Sequence, residues 1–432
     1  MLDVKPFSPR DRRFRELATR SDDADAEKTA YAAEVLKTVR EEGCPGLLRF
    51  VNMFDSPLIT GETLRVPEAE LSAARKEVSE RFLTSLSLAR VNTRKFHEDQ
   101  RRTGYIYDDS DGVRLTRSVR ALRRVGICVG DSLSTLLMHA VPAQLAGVRE
   151  LVAAVSTRAD GSVDPKILAA AKVLDIGEVY RMSGAHAVAA LACGAGPIAR
   201  VDKIVGSGGA ALRAAKRLVS GSVGVDAGLG LDELVIIADE SANAKFIAVD
   251  LLAQAEHGGK SGLSVLFTTD RLLAEAVRIE MDRLIDLLPD PPTMRKTLDA
   301  SGALFVCPDL DTAIDAANIL APARLSLMTA YNEQCLVEVE TAGAVFIGPW
   351  SMEAAGDSFA GINPFLPMAG RSRFASGLGV DDFVREMPVI EYGPDRLLRT
   401  GRHIATLADE DGMPAHAAAV RERLELLKLA VD

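Results

Sequence analysis

The stretch LLAQAEHGG, residues 251–259, closes an apolar helical run with Gln254, Glu256 and His257 before two glycines. Gln254 and His257 are one turn apart and share a helix face. A cation near that end would lie favourably in the field of a helix C-terminus. The same residues suit a plain cap, with His257 bonding the last carbonyls, so both readings stay open. VGSGGAALRAAK sets Gly206, Gly208 and Gly209 between a strand and a helix, where backbone N–H groups either hold a phosphate or simply make a turn. Of the six histidines, His139 and His186 lie in apolar helical stretches and read as core. His416, in GMPAHAAAV, lies on a polar tail, and Asp357 sits in the glycine-flanked EAAGDSFAG.

The elements that must position these groups follow from the rest of the chain. At 432 residues and 47% hydrophobic, it is long enough for two or three cores. A net charge of −10 with mixed signs argues against a nucleic-acid partner. Five scattered cysteines and no CxxC give neither a disulfide framework nor a cysteine zinc site. No run reaches the ~18 apolar residues of a membrane span, and the first residues lack a signal-peptide core, so a cytoplasmic location is expected. The first 120 or so residues read as mainly helical. From Val125, short apolar strands alternate with helices, in one series through about residue 219 and a second from DELVIIAD to AVFIG. That alternation predicts an α/β protein with parallel sheets flanked by helices, followed by a helical tail.

DLLAQAEHG, AVFIGPWSMEAAGDSFAGINPFLP and PAHAAAV, in that order, resemble the histidinol dehydrogenase family. VREEGCPGLLRFVNMFD, GAHAVAALACG and RVDKIVGSGG extend the likeness from about Glu27 to the C-terminus. The resemblance implies two incomplete Rossmann-like domains in an intertwined homodimer. It also implies zinc held by Gln254, His257, Asp357 and His416, with His416 supplied by the partner subunit. The expected divisions are an N-terminal arm (1–22), a zinc-binding domain in two parts (23–125 and 234–378), a second Rossmann-like domain (126–233) and a tail (379–432).

The departures fall on the chemistry. Where the family pattern has a Glu-His pair of bases after a proline, this chain has Ala323 and Arg324 in APARLSLMT. Alanine moves no proton, and arginine stays protonated at any working pH. The positions matching the family's NAD contacts are Cys128, His186 and Gly209, and the loop after the first strand is short. Asp232 replaces a substrate-side serine, Pro364 a histidine and Asp411 a glutamate. The expectation is a zinc enzyme retuned to NAD-independent lyase, cyclase or hydrolase chemistry on a small amino-acid-like substrate. Asp232, His186 and Asp411 are candidate proton carriers, and Arg324 a candidate anion holder. The alternatives are an NAD-dependent amino-alcohol dehydrogenase with relocated bases, and a non-catalytic scaffold stabilised by zinc.

Overall fold

The structure is a computed structural model that describes residues 2–20, 26–109, 112–226, 229–230, 233–257, 262–363 and 365–429. The chain divides into two compact units, Met1–Gln100 with Leu122–Phe383, and Arg101–Ala121 with Val384–Asp432.

Among the described residues, the first unit contains two parallel sheets flanked by helices. One has the spatial order Glu178–Arg181, Glu150–Val155, Arg124–Gly130, Lys203–Gly206, Gly224–Val225. The other has the order Val4–Pro6, Gly302–Val306, Leu263–Thr268, Glu233–Ala238, Arg324–Met328, Ala344–Ile347. Glu233–Ala238, Leu263–Thr268 and Arg324–Met328 are buried at every position, as expected of strands covered on both faces. The helices between them start at Asn243, Asp270, Asp290 and Asp309, whose side chains each accept from the first-turn N–H groups. Such a cap stabilises a helix by about 1 kcal/mol and fixes where it begins.

Three expectations change. Residues 1–22 are not a separate arm: Val4–Pro6 pairs with Gly302–Val306. Phe7 packs edge-on against Phe14 at 5.0 Å and Phe267 at 5.5 Å. A three-residue strand is too short to show a period of two. The helices Ala26–Glu42, Cys44–Phe54 and Glu80–Glu98, expected beside the zinc-side sheet, pack on the sheet containing Arg124–Gly130. Val35, Val39 and Val51 share a core with Met182 and Val188, and Leu83 and Leu86 share one with Leu136 and Met138. Their periodicity gives a buried face without saying which sheet it covers. Finally, the helical reading fails beyond residue 100. Tyr105–Asp109 and Val113–Ala121 form an antiparallel hairpin that Val384–Tyr392 extends into a sheet.

That sheet belongs to the second unit. The tail is helical as expected, with Pro394–Glu410 and Pro414–Leu429 packed against each other.

Candidate metal centre

Gln254 and His257 end the helix Ala244–Glu256, His257 serving as its C-cap. This helix follows the strand Glu233–Ala238 and returns antiparallel to it, so its last turn reaches the edge where the strands begin. Arg324, the first residue of Arg324–Met328, lies at that edge. Asp357 arrives from the other side, on the short helix Glu353–Ser358 after the strand Ala344–Ile347.

The side chains converge. His257 Nε2 lies 3.9 Å from Asp357 Oδ2. Single donor atoms of His257, Glu353 and Asp357 all fall within 4.8 Å of one another. The Arg324 guanidinium donates from Nη2 to Asp357 Oδ1 at 2.7 Å, and its Nη1 lies 3.0 Å from Glu353 Oε1. Arg324 is 0% exposed and Glu353 4%. Gln254 is also buried, and among the described residues its Oε1 has no hydrogen-bond partner. A buried acceptor left unmade costs about 1–3 kcal/mol, so the geometry asks for something to receive it. One imidazole, one or two carboxylates and an amide oxygen make a nitrogen–oxygen donor set that suits zinc. Of the residues expected to hold metal, Gln254, His257 and Asp357 therefore fit the ion.

The other expected site residues scatter. His416 is exposed on the helix Pro414–Leu429 and Asp411 caps Pro394–Glu410, both in the second unit. Asp232 and Pro364 lie outside the described residues. His186 is 2% exposed and does not face the carboxylates around Arg324. Its Nε2 lies 2.7 Å from Asp55 Oδ2 and 3.4 Å from the Ser183 backbone nitrogen, and its ring stacks on Phe50 and Phe54. Among the described candidate catalytic groups Arg324, His186 and Asp411, Arg324 touches an expected metal ligand, Asp357. Its own charge is committed to Asp357 and Glu353.

The positions that the resemblance matches to NAD contacts are placed as follows. Cys128 is 2% exposed, and burial pushes its thiol up to about 12, so it stays protonated. His186 is engaged by Asp55, and Gly209 has no side chain. The glycine turn has a steric cause at Gly206. There φ is +112°, and a Cβ would stand 2.2 Å from the Cys128 carbonyl oxygen. Behind the turn Lys216 Nζ donates to Gly206 O at 2.8 Å and pairs with Asp226, both buried.

Reading the residues in sequence missed Glu353. The signal was present: Glu353 and Asp357 are four apart in SMEAAGDS, the spacing that puts two groups on one helix face. What could not be read was that Arg324, nearly thirty positions upstream, joins them.

Parallel sheets flanked by helices, with His257, Glu353, Asp357 and Arg324 gathered in one polar cluster, define an α/β protein. A family model described as histidinol dehydrogenase matches residues 18–424. The chain is 40% identical to the histidinol dehydrogenase of Heliobacterium mobile over 405 residues, 93% of this chain and 95% of that one. It is 38% identical to that of Halalkalibacterium halodurans, covering 90% and 92%. The crystal structure of histidinol dehydrogenase from Elizabethkingia anophelis superposes with a TM-score of 0.90 at 29% identity, covering 99% of each chain. This chain belongs to the histidinol dehydrogenase family.

Proposed function

We propose that the protein is a zinc-dependent enzyme of this family that acts on a small amino-acid-like substrate by lyase, cyclase or hydrolase chemistry, without NAD. Arg324 carries the reading. It is fully buried, ion-paired to Asp357 and Glu353, and stands where the resemblance places a proton-transferring base. Neighbouring Ala323 is fully buried, and its N–H donates to Glu233 at 2.9 Å. Neither residue accepts a proton, and the loss of one general base costs about 10²–10⁴-fold in rate.

Gln254, His257 and Asp357 would hold the zinc, with His416 of a second copy completing the set as the resemblance implies. When bound, zinc supplies a Lewis acid that polarises a carbonyl, imine or amine or activates water. Arg324 fixes Asp357 by one oxygen and leaves Oδ2 facing His257. The buried guanidinium also makes the surroundings of the substrate more positive than a neutral imidazole would.

Metal analysis of the purified protein, beside His257→Ala and Asp357→Ala, tests the zinc. About one ion per chain is expected in the native protein and none in either variant. Calorimetric titration with NAD tests the rest, and no heat of binding at millimolar NAD is expected. Oxidation of an amino alcohol with relocated bases is the second reading. Full-length similarity to proteins named histidinol dehydrogenase favours it, and tight NAD binding would select it.

A further inference from the structure

We propose that a cavity of about 340 Å³ at the end of the helix Glu80–Glu98 binds a small uncharged molecule, apolar except for one N–H or O–H group that donates to His97 Nε2. None of Gln254, His257, Glu353 and Asp357 lines this cavity, so the proposal goes beyond the zinc reading and does not depend on it.

The cavity is lined by three parts of the first unit. The helix Glu80–Glu98 brings His97 in its last turn, and Gln100 follows just beyond it. The strand Ala344–Ile347, at the edge of its sheet, brings Ala344 and Val345. The segment 362–378 adds Ile362, Leu366 and Leu378. Among the described residues no Asp, Glu, Lys or Arg lines the cavity. A charge placed there would lose water without gaining a partner, which makes the occupant uncharged. Its volume lies at the lower end of the range of about 300–1,000 Å³ seen for small-molecule pockets, which makes the occupant small.

One acceptor of the lining asks for a donor. His97 is 1% exposed, and its Nδ1 lies 2.7 Å from Gln100 Oε1. The Val380 N–H donates to the same oxygen at 3.1 Å, and this fixed donor sets the Gln100 amide with its oxygen toward the ring. Nδ1 therefore carries the hydrogen, and Nε2 keeps a lone pair. Among the described residues Nε2 has no hydrogen-bond partner. Burial pulls the imidazole below its ordinary pKa, against the opposing pull of the Gln100 bond, so Nε2 stays an unprotonated acceptor at neutral pH. A buried acceptor without a donor is costly, and a molecule that supplies the donor removes that cost on binding. Asn363, also buried in the lining, is already committed: its Nδ2 donates to Met138 O at 2.8 Å, and its Oδ1 accepts from the Phe365 N–H at 3.0 Å.

Indole and 1-methylindole test the assignment, because they share an apolar body and differ in the N–H. Isothermal calorimetry on the native chain should show saturable binding of indole, with 1-methylindole about 5–100-fold weaker. His97→Phe keeps an aromatic ring beside Phe96 and removes Nε2, so it should bind the two with similar affinity. A crystal of the native protein soaked in indole should show the molecule in this cavity, its nitrogen within hydrogen-bond distance of His97 Nε2. The calorimetry and the crystal use the native chain and decide the matter even where His97→Phe fails to fold. No saturable binding of indole, equal affinities in the native protein, a preference for indole that survives in folded His97→Phe, or indole bound only elsewhere would each overturn the proposal.

Discussion

Replacing Arg324 by Met leaves Glu353 and Asp357 facing each other without their common cation. Removing one member of a buried ion pair typically costs about 3–5 kcal/mol, and full burial of Arg324 puts this site in that class. At roughly 2 °C per kcal/mol for a chain of this size, the metal-free variant should melt about 6–10 °C below the native protein. Zinc should narrow that gap. Two opposing effects decide by how much. Loss of a group that orients a ligand weakens a metal site by about 10–100-fold, or 1.4–2.7 kcal/mol. Removal of a unit positive charge some 5 Å from a dication relieves about 7 kcal/mol at an effective dielectric of 20. The electrostatic effect is larger, so the variant should bind zinc at least about tenfold more tightly. By linkage its stability deficit should then shrink by about 1.4 kcal/mol or more when zinc is saturating. The assay is thermal unfolding followed by circular dichroism, in chelator and in zinc, with identical protein concentrations. A variant as stable as the native chain in chelator, or a gap that widens in zinc, refutes the reasoning.

Burial pushes the Asp250 carboxyl up to about 6, so its charged form is disfavoured in the folded protein. Its stability penalty therefore grows as pH rises from about 4 to 6, and Asp250→Asn should stabilise the metal-free protein at pH 7–8 but not below pH 4. His139 behaves in the opposite sense. Burial lowers it from 6.5 to about 4, so the folded state loses stability as pH falls through that window. His139→Asn should flatten this acid limb of the melting-temperature profile, and an unchanged limb would assign it to other groups. Lys216→Met should lower the melting temperature by leaving Asp226 buried without its cation, a cost of about 3–5 kcal/mol.

The alternation of strands and helices from Val125 onward was legible because fully covered strands are unbroken apolar runs, as in Glu233–Ala238 and Leu263–Thr268. The strand Val113–Ala121 was not. In VRLTRSVRA the arginines recur every third residue, against a strand's period of two, so no alternation marks this mostly exposed strand. At the candidate metal centre, Gln254, His257 and Asp357 stand out because two short segments carry them. Their connection through Arg324 was not legible, because it depends on the return of a strand start to the end of a distant helix. The expected role of Arg324 as a holder of substrate anions is answered by two acids of its own chain. His186 shows the same limit: polar in an apolar helix, it caps that helix and binds Asp55, a partner 131 positions away in sequence.

The account stands most directly on one measurement, the formation of NADH by zinc-loaded protein supplied with L-histidinol and NAD. With Ala323 and Arg324 in the positions of the two bases, turnover should fall at least about 10²–10⁴-fold below that of an ordinary family member, while zinc remains bound. NADH formation at an ordinary rate would contradict the account and establish the dehydrogenase reading in its place.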